Sequence, residues 1–294
     1  MENQFVIISI LLFFLLSFYD TLSQSNQVED SLSFNFISEI SYKDGPSDYE
    51  KERCKLDLYI PKGKEYFPVI VWFPGGGLKL GDKCEDHATI VAKAFAGKGI
   101  GVALINYRLN PKVKYPEYIW DASAAVKWVF SNISKYGGDT KKIFIGGQSA
   151  GAFLTYMLGL NEEYLEKNNI MTNQIAGLVP VSSQVFCHST IREEMGIEEE
   201  KVINHTCPLY YIHKSAPPIL CLLAEEDEVI DDNKLLIEKL KKAGYTNCEL
   251  NIIPKRDHMS LVMEMRNQDD PALLEIVDFI ETIKKNIIKK NNRY

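Results

Sequence analysis

The feature that most constrains this chain is a series of short apolar runs separated by helix-length stretches. Residues 69–73 (Val-Ile-Val-Trp-Phe), 101–105 (Gly-Val-Ala-Leu-Ile), 142–146 (Lys-Ile-Phe-Ile-Gly) and 219–223 (Ile-Leu-Cys-Leu-Leu) are apolar over nearly all their length. A strand with one face in water alternates polar and apolar residues; a strand covered on both faces does not. Further strands are expected at 176–181 and 249–253. Residues 55–60 (Lys-Leu-Asp-Leu-Tyr-Ile) alternate instead, which predicts a half-buried strand stopped by Pro61. Helical spacing falls at 88–96, 118–132, 150–160, 232–243 and 271–288. In the second of these, Ala122, Ala125, Val126 and Val129 share one face. Apolar strands alternating with helices imply an α/β architecture, a mostly parallel central sheet with helices on both faces. Ligand sites on such sheets gather at the carboxyl ends of the strands.

The length of 294 residues accommodates one such domain, expected over 24–294. The net charge of −7 argues against a nucleic-acid partner, which would need clustered cations. The Lys-rich tail (Lys284, Lys285, Lys289, Lys290, Arg293) reads as the solvated end of the last helix. Residues 5–18 are almost unbroken apolar sequence, too short to span a bilayer comfortably and ended by Asp20. Thr21 and Ser23 follow with cleavage-site spacing, so 1–23 is read as a signal peptide and the protein as secreted or periplasmic. An uncleaved anchor is the alternative; after signal removal no stable membrane insertion is expected. Export would place the six cysteines where disulfides persist. Cys187 with Cys207 is the first expected pair and Cys54 with Cys84 the second, while Cys221 reads as a small buried hydrophobe. No Cys/His spacing suggests a metal site.

The sharpest motif is Gly147-Gln148-Ser149-Ala150-Gly151. Chance alone would give roughly 0.1 occurrence of G-x-S-x-G in a chain of this size. Its place between an apolar strand and a small-residue helix is the context of a nucleophile elbow, where a tight turn needs neighbours without side chains. A Gly/Ser turn that merely starts a helix is the plain alternative. A serine hydroxyl needs a base to become nucleophilic at neutral pH. In this chain order the acid follows the serine and the histidine comes last. Of the five histidines, His258 alone follows the last predicted strand. The acid is expected just after 219–223, in Ala224-Glu225-Glu226-Asp227-Glu228; Asp227 is the choice, with Glu226 and Asp232 as fallbacks. Gly75-Gly76-Gly77 follows another apolar strand, and bare glycine amides can approach a developing oxyanion. The N–H groups of Gly76, Gly77 and Ala150 are assigned that role.

With these residues in place, the chain resembles α/β-hydrolases of the hormone-sensitive-lipase-like and BD-FAE-like carboxylesterase group. The segments that carry the likeness are Leu56-Asp-Leu-Tyr-Ile-Pro61, Trp72-Phe-Pro-Gly-Gly-Gly77, Asn106-Tyr-Arg-Leu-Asn-Pro111, Asp121-Ala-Ser-Ala-Ala-Val-Lys-Trp128, Tyr136-Gly-Gly-Asp139, the elbow, Ala216-Pro-Pro-Ile-Leu220 and Asp257-His258. The resemblance implies the α/β-hydrolase fold with a small cap insertion, placed at 182–216. It also implies hydrolysis of small carboxylic esters by Ser149, Asp227 and His258 without a cofactor. Two positions depart from the family: Pro74 stands where a His is usual, and Leu78 replaces a common aromatic. Both bear on the shape of the glycine loop. Rival activities on the same fold are an arylformamidase, an acetyl or feruloyl esterase acting on polysaccharide, and a dipeptidyl-type peptidase. A non-catalytic hydrolase-like binding module is the rival from another class. Acyl and alcohol specificity and oligomeric state are not given by the sequence.

Overall fold

A computed structural model describes residues 33–213 and 215–291. The expected signal segment lies outside these. Eight strands form one sheet: β1 (Phe34–Ser41), β2 (Lys55–Pro61), β3 (Phe67–Phe73), β4 (Gly101–Ile105), β5 (Gly138–Gln148), β6 (Gly177–Val181), β7 (Ile219–Ala224) and β8 (Cys248–Ile253). Their spatial order is β1-β2-β4-β3-β5-β6-β7-β8. The first two pairings are antiparallel and all from β3 onward are parallel. The helices are α1 (Asp48–Arg53), α2 (Asp86–Gly97), α3 (Glu117–Asn132), α4 (Ala150–Leu160), α5 (Ser189–Met195), α6 (Ile230–Lys242) and α7 (Pro271–Asn291), with short turns at Glu162–Glu166 and Ser260–Met263. No described helix is long and apolar enough to cross a membrane.

The continuous apolar strands are covered on both faces, as their composition requires. Along β3, Val69, Val71 and Phe73 join the core shared with α3, α4 and α6, whereas Ile70 and Trp72 join the one shared with α2 and α7. The edge of the sheet departs from the sequence reading. β1 is absent from it because its residues are mostly exposed and a bulge between Ile37 and Ile40 breaks the period of two. β2 is buried on both faces rather than half-buried. Asp57 on β2 pairs with the equally buried Lys83 at 3.0 Å, so a charge can occupy the covered face.

The disulfide expectation is corrected: all six cysteines are free thiols. Cys187 Sγ instead accepts from the Thr206 hydroxyl at 3.0 Å, Cys54 is buried below Tyr42, and Cys84 is exposed on its loop. Cys221 is buried within β7.

Candidate active site

β5 ends in the elbow. Ser149 has φ 57° and ψ −117°, a region that side-chain-bearing residues rarely occupy, and α4 starts at the next residue. The flanking glycines are needed by contact. A Cβ on Gly151 would lie 1.9 Å from the Phe73 carbonyl oxygen, and one on Gly147 would lie 2.5 Å from the Gly151 backbone. The turn is locked from the next strand by the Ser149 N–H, which donates to the Val181 carbonyl at 2.8 Å. Ser149 is left partly accessible at the sheet end.

The glycine loop leaves β3 directly against this turn: a Cβ on Gly75 would meet the Ser149 Cβ at 3.3 Å and the Gln148 side chain at 2.4 Å. Gly76 and Gly77 have φ 119° and 62°. The loop is held through its carbonyls, which leaves its amides open. The Leu80 N–H donates to Gly76, the Asn110 N–H to Leu78, the Tyr107 hydroxyl to Pro74 at 2.9 Å and Arg53 to Gly81 at 2.8 Å. Pro74, the departure from the family pattern, thus anchors the loop through its carbonyl, and Leu78 is fully buried at φ 62°. Among the described residues, the Gly76 and Gly77 N–H groups donate to no protein acceptor. Ala150 heads α4, where N–H groups have no partner within the helix.

Asp227 and His258 meet across β7 and β8. His258 Nδ1 and Asp227 Oδ1 are 2.9 Å apart, with the His258 side chain 44% exposed and that of Asp227 only 2%. Burial would raise the Asp227 carboxyl, but bonds from His258, the Ser182 hydroxyl and the Ala224 N–H outweigh it and hold the group below the ordinary carboxylate value. An ionised Asp227 can only accept, so the His258 proton sits on Nδ1 and Nε2 carries the lone pair. The Gln148 amide donates to the His258 carbonyl at 3.2 Å, which ties the histidine loop to the residue before Ser149. This brings the Asp227–His258 pair, the turn at Ser149 and the glycine loop to one end of the sheet.

The fallback acids stand elsewhere. Glu226 is exposed, and Asp232 pairs with Lys201 at 2.6 Å. Of the four remaining histidines, His87 faces Glu85 at 3.3 Å, His188 is buried as the N-cap of α5, His205 is exposed, and His213 bonds Ser215 and the Leu160 carbonyl. Ser182, directly after β6 at φ 55°, was missed by sequence reasoning. Nothing in Val-Ser-Ser distinguishes it, because its role arises only where β6 and β7 adjoin. Residues 182–216 carry α5, which is fastened to the body. The Glu194 carboxylate accepts from the Asn110 amide at 2.8 Å and the Tyr115 N–H at 2.9 Å, and the Thr190 hydroxyl donates to the Gly77 carbonyl. Phe186 lines a cleft of about 310 Å³ between this segment and α6, whereas Tyr210 is exposed.

The sheet order, with a strained serine between β5 and α4 and a buried carboxylate beside a histidine after β7 and β8, is that of the α/β-hydrolase fold. Within it, residues 56–183 match the family model described as BD-FAE. A probable isoprenylcysteine alpha-carbonyl methylesterase of Oryza sativa subsp. japonica is 38% identical over 106 residues, 36% of this chain and 24% of the relative. Esterase LipC of Mycobacterium tuberculosis is 23% identical over 212 residues, 65% of this chain and 52% of the relative. The match thus spans about a quarter of the first of these curated relatives and about half of the second. Among solved structures, esterase B from Lactobacillus rhamnosis superposes with a TM-score of 0.74 at 16% identity, covering 97% of this chain and 98% of that one. A second structure of that esterase is described as inhibited by a tributyrin phosphonate.

Proposed function

We propose that this protein is a serine carboxylesterase that hydrolyses small carboxylic esters through an acyl-enzyme. The observation that carries the reading is the convergence of a strained, accessible Ser149, a His258 oriented by the buried Asp227, and free loop amides at one sheet end. The named relatives and the fold neighbours are esterases, which supports ester hydrolysis. In the proposed cycle, His258 Nε2 takes the Ser149 proton as the oxygen attacks the ester carbonyl. The Gly76, Gly77 and Ala150 amides hold the oxyanion. His258 then protonates the leaving alcohol, and water repeats the sequence on the acyl-enzyme. Asp227 fixes the tautomer and stabilises the imidazolium. Substitution Ser149→Ala is expected to lower kcat on p-nitrophenyl butyrate by about 10⁶-fold and to abolish fluorophosphonate labelling, with the circular dichroism spectrum unchanged. Turnover retained in that variant overturns the assignment. The apolar run at 5–18 supports export with cleavage near Ser23; N-terminal sequencing of the exported protein reads it.

A further inference from the structure

Arg53 closes α1 and has no part in the cycle above, yet its guanidinium bonds all bear on the loop that carries Gly76 and Gly77. Nε donates to the Tyr107 carbonyl at 3.1 Å, Nη1 to the Asp82 carboxylate at 2.8 Å and Nη2 to the Gly81 carbonyl at 2.8 Å. The side chain is 11% exposed. A planar fork can hold these acceptors together, which a single ammonium could not. The sheet sets its place. Just after Arg53, the Lys55 carbonyl accepts from the Asn106 N–H at 2.9 Å, where β2 runs against the end of β4. Tyr107 is the next residue, so Arg53 and Tyr107 arrive side by side. Asp82 stands ionised between them and the loop. Burial raises its carboxyl, but the Cys84 N–H, the Asn106 amide and the charge of Arg53 outweigh it and keep the group below the ordinary carboxylate value.

Both ends of the glycine loop lead back to this guanidinium. At the far end, Gly81 has φ 103°, and a Cβ there would lie 2.1 Å from the Gly75 carbonyl oxygen. The bare Cα of Gly81 is thus the seat of that carbonyl. A trans peptide points its C=O and the following N–H in opposite directions. The seat at Gly81 therefore decides where the Gly76 N–H points. At the near end, Pro74 has no N–H and no polar side chain, and its carbonyl is the handle it offers. The Tyr107 hydroxyl takes that handle at 2.9 Å. Tyr107 is itself buried, its ring edge-on to Phe73 with centroids 6.4 Å apart and its carbonyl tied to Arg53. By the same rule of peptide geometry, the held Pro74 carbonyl fixes the Gly75 N–H and with it the start of the loop.

Building on the acyl-transfer reading, we infer that Arg53 is a positioning residue for the oxyanion. It clamps the glycine loop at Gly81 directly and at Pro74 through Tyr107, and so aims the Gly76 N–H at the developing charge. That charge exists in the transition states of acylation and deacylation and not in the bound ester, so the clamp acts on kcat rather than KM. The test sets turnover of p-nitrophenyl butyrate beside inhibition by a trifluoromethyl alkyl ketone. The Ser149 oxygen bonds to the ketone carbon, the serine proton passes to His258, and the carbonyl oxygen becomes an oxyanion. Substitution Arg53→Lys keeps a charge opposite Asp82 but not the fork. It is expected to lower kcat by about 10²-fold with KM unchanged, and to raise the ketone Ki by the factor by which kcat/KM falls. Tyr107→Phe keeps the buried ring and removes only the hydroxyl at Pro74. The same paired shift is expected there at about fivefold, the scale of one neutral hydrogen bond, and this variant carries the test if Arg53→Lys does not fold. Turnover like that of the wild type in either folded variant overturns the inference. So does a fall in kcat/KM that leaves the Ki unmoved, the mark of a merely structural role. If Ser149→Ala cleaves the ester as well as the wild type, the acyl-transfer reading itself has failed; Ser149-dependent cleavage with an unmoved Ki removes only the clamp.

Discussion

Ser149 shows what the chemistry demands of a single backbone position. Its φ of 57° and ψ of −117° store conformational strain at the proposed nucleophile. Glycine would adopt the same angles freely. Substitution Ser149→Gly is therefore expected to stabilise the protein by about 1 kcal/mol while removing activity, read by guanidinium unfolding beside an esterase assay. Asp227 makes the complementary case for a side chain. Substitution Asp227→Asn keeps the shape but can impose the wrong imidazole tautomer, and kcat is expected to fall by about 10⁴-fold. The same variant tests linkage. The folded carboxyl is held below its ordinary value, so its contribution to stability is complete above about pH 4 and is lost as pH falls through the folded value. The difference in unfolding midpoint between wild type and Asp227→Asn should be widest at neutral pH and narrow below about pH 4.

At the scale of elements, the strand–turn–helix unit of β5 and α4 and the glycine loop after β3 hold each other in place. Two glycines make opposite demands. At Gly151 the approach of the Phe73 carbonyl leaves no room for a methyl group. At Gly77 nothing lies within 4 Å and only the positive φ of 62° resists a side chain. Substitution Gly151→Ala is expected to cost at least about 3 kcal/mol and to disorder the elbow. Gly77→Ala should cost about 1 kcal/mol and leave a folded protein. Thermal melts of the two variants check the contrast. The elbow was legible in the sequence because its glycines are a local steric requirement. β1 was not, since an exposed, bulged edge strand owes its form to the pairing with β2 rather than to its own pattern.

At the scale of the whole molecule, the loops after β1 and β4 and the helix α3 are joined by buried charge. Arg108 donates from Nε to Asp121 at 2.7 Å and from Nη2 to Glu117 at 2.9 Å, and Lys43 reaches Asp121 at 2.9 Å. Asp121 is fully buried, so removing its charge leaves Arg108 and Lys43 short of their counterion. Substitution Asp121→Asn is expected to cost about 3–5 kcal/mol, measured by urea unfolding. The loop that Arg108 opens then carries Asn110 and Tyr115, to which Glu194 of α5 is fastened. Loss of the buried pair should therefore loosen the segment that carries α5 as well as the core.

The sequence alone determined the succession of the inner strands with their helices and the glycine-flanked turn at Ser149. Period, apolar runs and glycine placement are consequences of local geometry, which each stretch expresses by itself. What it left open was settled by chain segments far apart. The acidic side chains of 225–232 have the same chemistry, and only the fold buries Asp227 beside Ser182 and His258. The cysteine pairs expected from spacing are absent because the fold gives each thiol other surroundings. Distance and desolvation between remote residues are properties of the assembled molecule, and no local pattern encodes them.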